Sequence, residues 1–321
     1  MINEKRLLDT FIGYAMIDSE TKNEKAMGEK LVEDLKALGL EVKTDKAGEG
    51  FGSNGFNVCA YLPGTIPGEP TIMCAHMDTV TPGNGIKPLI DDGIIHTDGS
   101  TILSGDDKSG IAAIMEAVKV IKEQNLPCRN TEILFTIGEE GGMNGVKNMD
   151  LSMIKGKEAM VFDASGDVGK ILTCGPGQIK IFATIIGRSS HAGLAPEEGI
   201  SAIQVAAKGI AKMNLLRIDE ETTCNIGTLK AEYVTNIVPE KAEFVAEVRS
   251  RNLDKLNAQA AHIQKCLQDA CDEMGAKLEI ELKTNYVSFN VANDDPMVQR
   301  VFESCKRIGC EPMTAKGGGG S

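Results

Sequence analysis

Glu132-Ile-Leu-Phe-Thr-Ile-Gly-Glu139-Glu140 is an unbroken apolar and β-branched run that ends on two carboxylates. Such a run reads as a strand buried on both faces. A charge at its carboxyl end points into the crevice above the sheet edge, where open α/β sheets bind ligands. Three more stretches carry the same reading: Thr71-Ile-Met-Cys-Ala-His76, the residues leading to Asp106, and Ala159-Met-Val-Phe-Asp163. Each is expected to be a strand ending on a metal-ligand or acid/base residue. Carboxylates crowded at one sheet edge repel one another unless cations sit among them. The sequence therefore asks for a metal, and two ions fit the number of acids better than one.

The remaining chain bounds what kind of protein this is. At 321 residues it exceeds the usual size of one hydrophobic core, and 42% hydrophobic content can fill two. A formal net charge of -12 and a pI near 5.0, with no basic cluster, argue against nucleic acid and against an anionic membrane surface. Charged residues in Met1-Ile-Asn-Glu-Lys-Arg-Leu-Leu break any secretory apolar segment, and no uncharged run is long enough to span a bilayer. Nine cysteines without a C-x-x-C pair read as reduced, buried thiols, so the expected location is cytoplasmic.

Working outward along the chain, Leu8, Phe11, Ile12 and Ala15 mark one amphipathic helix, and Met27, Leu31, Leu35 and Leu38 mark another that stops at Gly39. Asp92-Gly93 reads as a hairpin turn, and Ile111 to Ile121 recur at helical spacing. Alternating strands and helices predict an α/β fold: a mostly parallel sheet with helices on both faces. After Gly175-Pro176-Gly177 the pattern becomes β-α-β-β-α-β, the ferredoxin-like order of a compact inserted α+β domain. Asp295-Pro296 then opens a further helix. The predicted domains are 1–176, an inserted domain over 177–286, and the first domain resumed over 287–321.

Individually the acidic motifs are weak signals. In His76-Met-Asp78 the carboxylate can orient a ligating imidazole. In Ser104-Gly105-Asp106-Asp107-Lys108-Ser109-Gly110, Asp106 can bridge two ions, or the acids can simply cap the following helix. Of Glu139 and Glu140, one can reach the metal and the other the attacking water.

Taken in order, H-x-D, G-D-D-K-S-G, E-E-G-G and V-F-D-A-S are similar to the motif set of the M20 family of di-zinc metallopeptidases, and within it to the peptidase T-like aminotripeptidases. The resemblance extends over essentially the whole chain, including Gly187-Arg-Ser-Ser-His-Ala-Gly-Leu-Ala-Pro196 and Thr235-Asn-Ile-Val-Pro239. It implies a zinc-peptidase type catalytic domain with a lid and dimerisation domain, and hydrolysis of short peptides, chiefly the release of the N-terminal residue from tripeptides. Cobalt or manganese are possible substitutes for zinc. It further implies that His76 and Asp163 hold one zinc, Glu140 holds the other and Asp106 bridges them. By the same match Asp78 orients His76, Glu139 is the general base, and the Asp106–Asp107 peptide is cis. His191 would reach a partner subunit's site in a homodimer and steady the oxyanion, although a structural role for this polar-loop histidine is also open. Asn236 and Arg249 match substrate contacts, Arg249 through the peptide carboxylate. His96 and His262 receive no chemical role. Rival readings on the same scaffold are an N-acyl amino acid amidohydrolase or carboxypeptidase, and an inactive relative kept for binding.

One departure stands out. Family members complete the second metal site with a histidine after a glycine-rich segment near the C-terminus. The four histidines here end at His262, and the chain stops at Lys316-Gly-Gly-Gly-Gly-Ser321. That tail resembles the start of the glycine segment, so the expectation is a truncated chain, with an appended linker as the alternative. On this reading the chain holds one ion tightly and its activity is in doubt.

Overall fold

The computed structural model describes residues 1–319. They form two units, Met1–Ser165 and a second that begins at Gly166.

The first unit runs α1 (Glu4–Ala15), α2 (Lys25–Ala37), β1 (Glu41–Thr44), β2 (Val58–Leu62), β3 (Ile66–His76), β4 (Leu89–Asp91), β5 (Ile94–His96), α3 (Gly105–Glu123), β6 (Arg129–Thr136), α4 (Asn144–Lys147) and β7 (Glu158–Val161). Its five-stranded sheet has the order β1-β2-β6-β3-β7. The centre is parallel as the buried runs predict, β3 pairing parallel with both β6 and β7. At the other edge β2 pairs antiparallel with β6, and β1 pairs antiparallel with β2. The link from Leu62 to Ile66 is too short for a parallel crossover, which takes about a dozen residues or more, so β2 must run against β3.

Period-two alternation along the strands decides which face meets the helices. Val58, Ala60, Ala75, Ile133 and Phe135 face α1, α2 and α3, whose Phe11, Tyr14, Leu31, Leu35, Ile111, Ile114 and Met115 close the main core. Each such aliphatic or aromatic side chain contributes about 1.5–3 kcal/mol on leaving water. Arg6 ties α1 to α3 through the buried Glu116, at 2.7 Å. The opposite face carries Cys59, Ile72 and Leu134 against Met153 of a single 3₁₀ turn, Leu151–Met153. That thinner cover leaves an apolar cavity of ≈ 230 Å³ with His76 and Glu139 in its lining.

The strand expected before Asp106 does not form. Residues 97–104 are bends and irregular chain, Ser104 sits at φ 62, and Asp106 and Asp107 depart from helical φ/ψ inside the start of α3. Ile102-Leu103 is too short an apolar run to sustain a buried strand. Asp106 is thus delivered by a helix start.

The second unit contains β8 (Lys170–Gly175), β9 (Gly177–Ile186), α5 (Ala202–Ile210), β10 (Leu216–Arg217), β11 (Thr222–Lys230), β12 (Lys241–Ser250), α6 (Leu253–Met274), β13 (Lys277–Tyr286), β14 (Phe289–Asn290), α7 (Pro296–Arg307) and β15 (Met313–Lys316). The antiparallel sheet β10-β11-β12-β9-β13 has the ferredoxin-like order. Its inner face, Ile181, Ile185, Phe244 and Val248, packs on Val205 of α5 and on Ile263 and Leu267 of α6. The Asn252 side chain caps α6 by accepting from the Asp254 and Lys255 N–H groups, and Gly275 at φ 73 ends it. A three-stranded sheet, β14-β8-β15, lies outside this arrangement. Among the described residues no helix is long and apolar enough to cross a membrane.

Candidate metal and catalytic site

Strand direction assembles the site. β3 ends on His76, β6 leads through Ile137-Gly138 to Glu139 and Glu140, and β7 leads through Phe162 to Asp163. Because the three strands are parallel, these ends share one edge of the sheet. The Phe162 N–H donates to the Cys74 carbonyl at 2.9 Å, which carries the β7 register up to the residue before Asp163. Asp106 arrives from the start of α3.

His76 is almost fully buried. Its Nδ1 lies 3.0 Å from the backbone carbonyl of Asp78, an acceptor only, so Nδ1 carries the proton. Nε2 faces Asp106 Oδ1 at 2.8 Å and Asp163 Oδ1 at 3.7 Å. Burial alone would lower the His76 pKa, but its bonds to Asp106, Asp163 and Asp78 outweigh that and raise it.

Two overlapping donor groups have their ligand atoms within 4.8 Å of one another: His76, Asp106 and Glu140, and His76, Glu139 and Asp163. One imidazole nitrogen with several carboxylates suits a borderline or hard divalent ion. Burial lifts the Glu139 carboxyl to about 7, with the charges of Asp163, Glu140 and Asp78 adding to the rise and His76 opposing it. Glu140 is raised in the same way, by burial and then by Asp106. Asp107 accepts the His76 backbone N–H at 3.2 Å and is pushed by burial up to about 8. The Asp106–Asp107 peptide is cis. Neighbouring Lys108 is fully buried, donates to the Ile17 carbonyl at 2.7 Å, and is lowered by burial to about 8.

Side chains from distant segments hold the end of β6. Four consecutive backbone N–H groups, from Ile137 to Glu140, each donate to a side-chain oxygen. Asn57 Oδ1 takes Ile137 at 3.1 Å and Glu24 Oε1 takes Gly138 at 3.1 Å. Asp78 Oδ1 takes Glu139 at 2.9 Å, and Asp78 Oδ2 takes Glu140 at 3.2 Å. Thr21 adds a hydroxyl donor to Asp78 at 2.8 Å. Gly138 sits at φ 62, and a Cβ there would meet the Phe51 ring at 2.7 Å, so only glycine fits. Glu24, Asn57 and Thr21 carried no signal in the sequence: each reads as an ordinary polar residue of a helix start or loop.

The second unit places the other sequence-predicted residues. His191 is exposed and pairs through its backbone with Ile237, while the Ala192 N–H donates to the Asn236 carbonyl at 2.8 Å. His191 Nδ1 accepts from the Gly193 N–H at 3.2 Å, which leaves the proton of the neutral ring on Nε2. Arg249 is elsewhere. It pairs on β12 with Gln178 at the start of β9, whereas the His191 loop follows the end of β9 at Ile186. Eight strand residues separate these positions, about 26 Å. Arg249 engages Glu247 at 2.9 and 3.3 Å and the Gly318 carbonyl at 3.3 Å. His96 binds Asp91 and the Thr97 carbonyl, and His262 accepts from the Asn214 N–H.

Known proteins agree with this architecture. The pattern of the peptidase dimerisation domain matches residues 176–275, and that of peptidase family M28 matches residues 57–174. The chain is 41% identical over its whole length to aminopeptidase PepT from Bacillus cereus, covering 86% of that chain with a TM-score of 0.94. To a tripeptidase from Staphylococcus aureus it is 38% identical over its whole length, again covering 86%, with a TM-score of 0.96. It is also 41% identical over its whole length, and 86% of the relative's, to the uncharacterized protein YqjE of Bacillus subtilis. With such likeness running from end to end, and with acids and a histidine gathered at the sheet edge, the chain belongs to the M20 peptidase family, among its peptidase T-like metallo-aminopeptidases.

Proposed function

We propose that this protein is a zinc-dependent aminopeptidase that releases the N-terminal residue of short peptides, with tripeptides as its main substrates. The observation that carries the reading is the meeting of His76, Asp106, Glu139, Glu140 and Asp163 at one sheet edge, ligand atom to ligand atom. Similarity to a tripeptidase and to aminopeptidase PepT supports the substrate class.

In this reading His76, Asp106, Asp163 and Glu140 hold the metal. A divalent ion held there would supply Lewis-acid polarisation of the scissile carbonyl and lower the pKa of a water toward neutrality. Glu139 takes the water's proton and returns it to the leaving amine. Burial raises its carboxyl, which favours proton uptake, and a bound divalent cation would oppose that rise. Both donor groups draw on His76, whose Nδ1 is engaged by the Asp78 carbonyl and whose Nε2 faces Asp106 and Asp163, so these residues offer a nitrogen to one ion and only carboxylates to a second. One tightly held ion is the expected state.

His191 and Arg249 cannot serve one tripeptide within one chain, because an extended tripeptide spans only about 10 Å. Their separation along β9 supports a homodimer in which the two residues serve different sites, Arg249 gripping a peptide carboxylate and the Nε2–H of His191 steadying the oxyanion in a partner's site. Asn236, tied to the His191 loop, would act with it. The division into 1–176, 177–286 and 287–321 belongs to the same proposal: the ferredoxin-like sheet starts at Gly177 and ends at Tyr286, and β14 and β15 return to β8 instead. Nine free cysteines support a cytoplasmic setting.

Mixing Glu139→Gln chains with His191→Ala chains tests the whole reading. Each homodimer should be nearly inactive on a free tripeptide. An equimolar mixture, about half of it mixed dimers after random exchange, should recover up to about one quarter of wild-type activity, since each mixed dimer has one of its two sites intact. No recovery after verified subunit exchange would overturn the action of His191 across the dimer. Activity that survives chelation would overturn the metal-dependent reading.

A further inference from the structure

Glu24 is a carboxylate with no exposed surface, set at the start of α2, and its partners are N–H and O–H donors. Oε1 accepts from Lys22 N–H at 2.9 Å and from Gly138 N–H at 3.1 Å, and Oε2 accepts from the Ser53 hydroxyl. Taking a carboxylate out of water is costly, and three donors only partly offset it. A core needing nothing but packing would be served better there by an apolar residue. The donor Gly138 immediately precedes Glu139 and Glu140, and its left-handed backbone sets the direction in which those two residues leave β6.

We propose that Glu24 is a positioning residue for the reaction: by holding the Gly138 N–H it fixes Glu139 and Glu140 against the metal site. Asn57 performs the same task one residue earlier and Asp78 one and two residues later, so four successive N–H groups are fastened by three side chains with essentially no exposed surface. The strand end projects beyond the last β6 pairing and has no sheet neighbour to define it. Side-chain acceptors replace the missing neighbour. Misplacing a reacting group by about 1 Å costs about 100-fold in rate, so this fastening bears directly on turnover. The inference rests on the metal-dependent reading in which Glu139 is the base.

The test compares Glu24→Ala, Glu24→Gln and wild type in the full chain, by tripeptide kinetics and by zinc titration against a chromophoric chelator. Glu24→Ala should lose about 100-fold in kcat with KM within about threefold, and about 10–100-fold in zinc affinity. Glu24→Gln keeps an oxygen for Gly138 and should recover kcat and affinity to within about fivefold of wild type, which generic loss of core stability would not produce. If Glu24→Ala does not fold, Glu24→Asp, one methylene shorter with its charge retained, should show the same losses. Wild-type kcat and zinc affinity in the folded Ala or Asp variant would overturn the proposal, as would a Gln variant as impaired as Ala. Should wild-type hydrolysis prove indifferent to chelators, or Glu139→Gln keep full turnover, the underlying reading fails instead. Zinc affinity of the Glu24 variants still reports on the fastening in that case.

Discussion

The imidazole of His76 takes its orientation from the backbone of Asp78, 3.0 Å away, while the Asp78 carboxylate, 3.4 Å from the ring at its nearest, serves the N–H groups of Glu139 and Glu140. The sequence assigns Asp78 the single task of orienting His76. In the structure one residue holds His76 with its main chain and Glu139 and Glu140 with its side chain.

That division makes Asp78→Ala informative. The carbonyl that fixes the His76 tautomer survives, whereas two N–H groups and the Thr21 hydroxyl lose their acceptor. We expect kcat to fall about 100-fold and stability to drop by about 1–3 kcal/mol for each donor left buried and unpaired. Urea denaturation together with tripeptide kinetics reads both. A variant of wild-type turnover would show that the strand end does not need its side-chain acceptors.

Glu139→Gln keeps the shape and removes the base. Metal affinity should change little, and kcat should fall by about 10²–10⁴. Metal analysis alongside steady-state assays measures both, and near-normal turnover would reassign the base.

Arg249→Lys should raise KM about tenfold for a free tripeptide and leave the same peptide with an amidated C-terminus unaffected. Lysine cannot reproduce the two-pronged pairing of guanidinium with carboxylate. Equal losses on both substrates would place Arg249 in the lid's own scaffold with Glu247.

Stability of the metal-free protein should decline as pH rises. Glu139 and Asp107 keep their protons in the folded state up to about 7 and about 8, whereas carboxylates of an unfolded chain lose them near about 4. His76, also raised, stays protonated when an unfolded histidine would not. In this window the folded state binds more protons, so the unfolding free energy falls with pH between about 4 and 8. Zinc needs the deprotonated ligands, so the rise in Tm on adding it should be larger at pH 8 than at pH 5.5. Scanning calorimetry at both pH values decides this, and an equal rise would refute it. Saturating zinc should give one tight equivalent, any second binding far more weakly; two equally tight equivalents would point to a donor outside the two described groups.

Much of the scaffold is legible in the chain because its signals are local. Ile133 to Ile137 can only be a buried strand, Gly39 and Asn252 mark helix ends, and Asp92-Gly93 specifies its hairpin. His76, Asp106, Glu139, Glu140 and Asp163 are legible as a group because they recur at segment ends. Asp106 shows where local reading stops: its helix-start placement depends on backbone geometry at Ser104 to Asp107, not on an apolar run. Glu24, Asn57 and Thr21 are invisible for a related reason. Their roles are defined by what lies opposite them in space, and a buried glutamate at a helix start is spelled like an exposed one. β8, β14 and β15 leave little trace in the sequence because short strands with partners remote in sequence have almost no periodicity.

The fastening of the β6 end also has a kinetic side. Its acceptors lie 114, 80 and 61 residues from the donors they hold. Contacts so remote in sequence cannot form until the intervening chain has closed into loops, an entropic cost that delays them relative to helices and hairpins. The ligand cluster should therefore mature late, after the strands themselves have registered. A nascent or partly folded chain would display scattered carboxylates instead of a chelating site, and would not sequester zinc before its sheet is built. Metal uptake during refolding then becomes a clock for the last step of assembly, its rate following the slowest phase seen by amide exchange at Ile137 to Glu140.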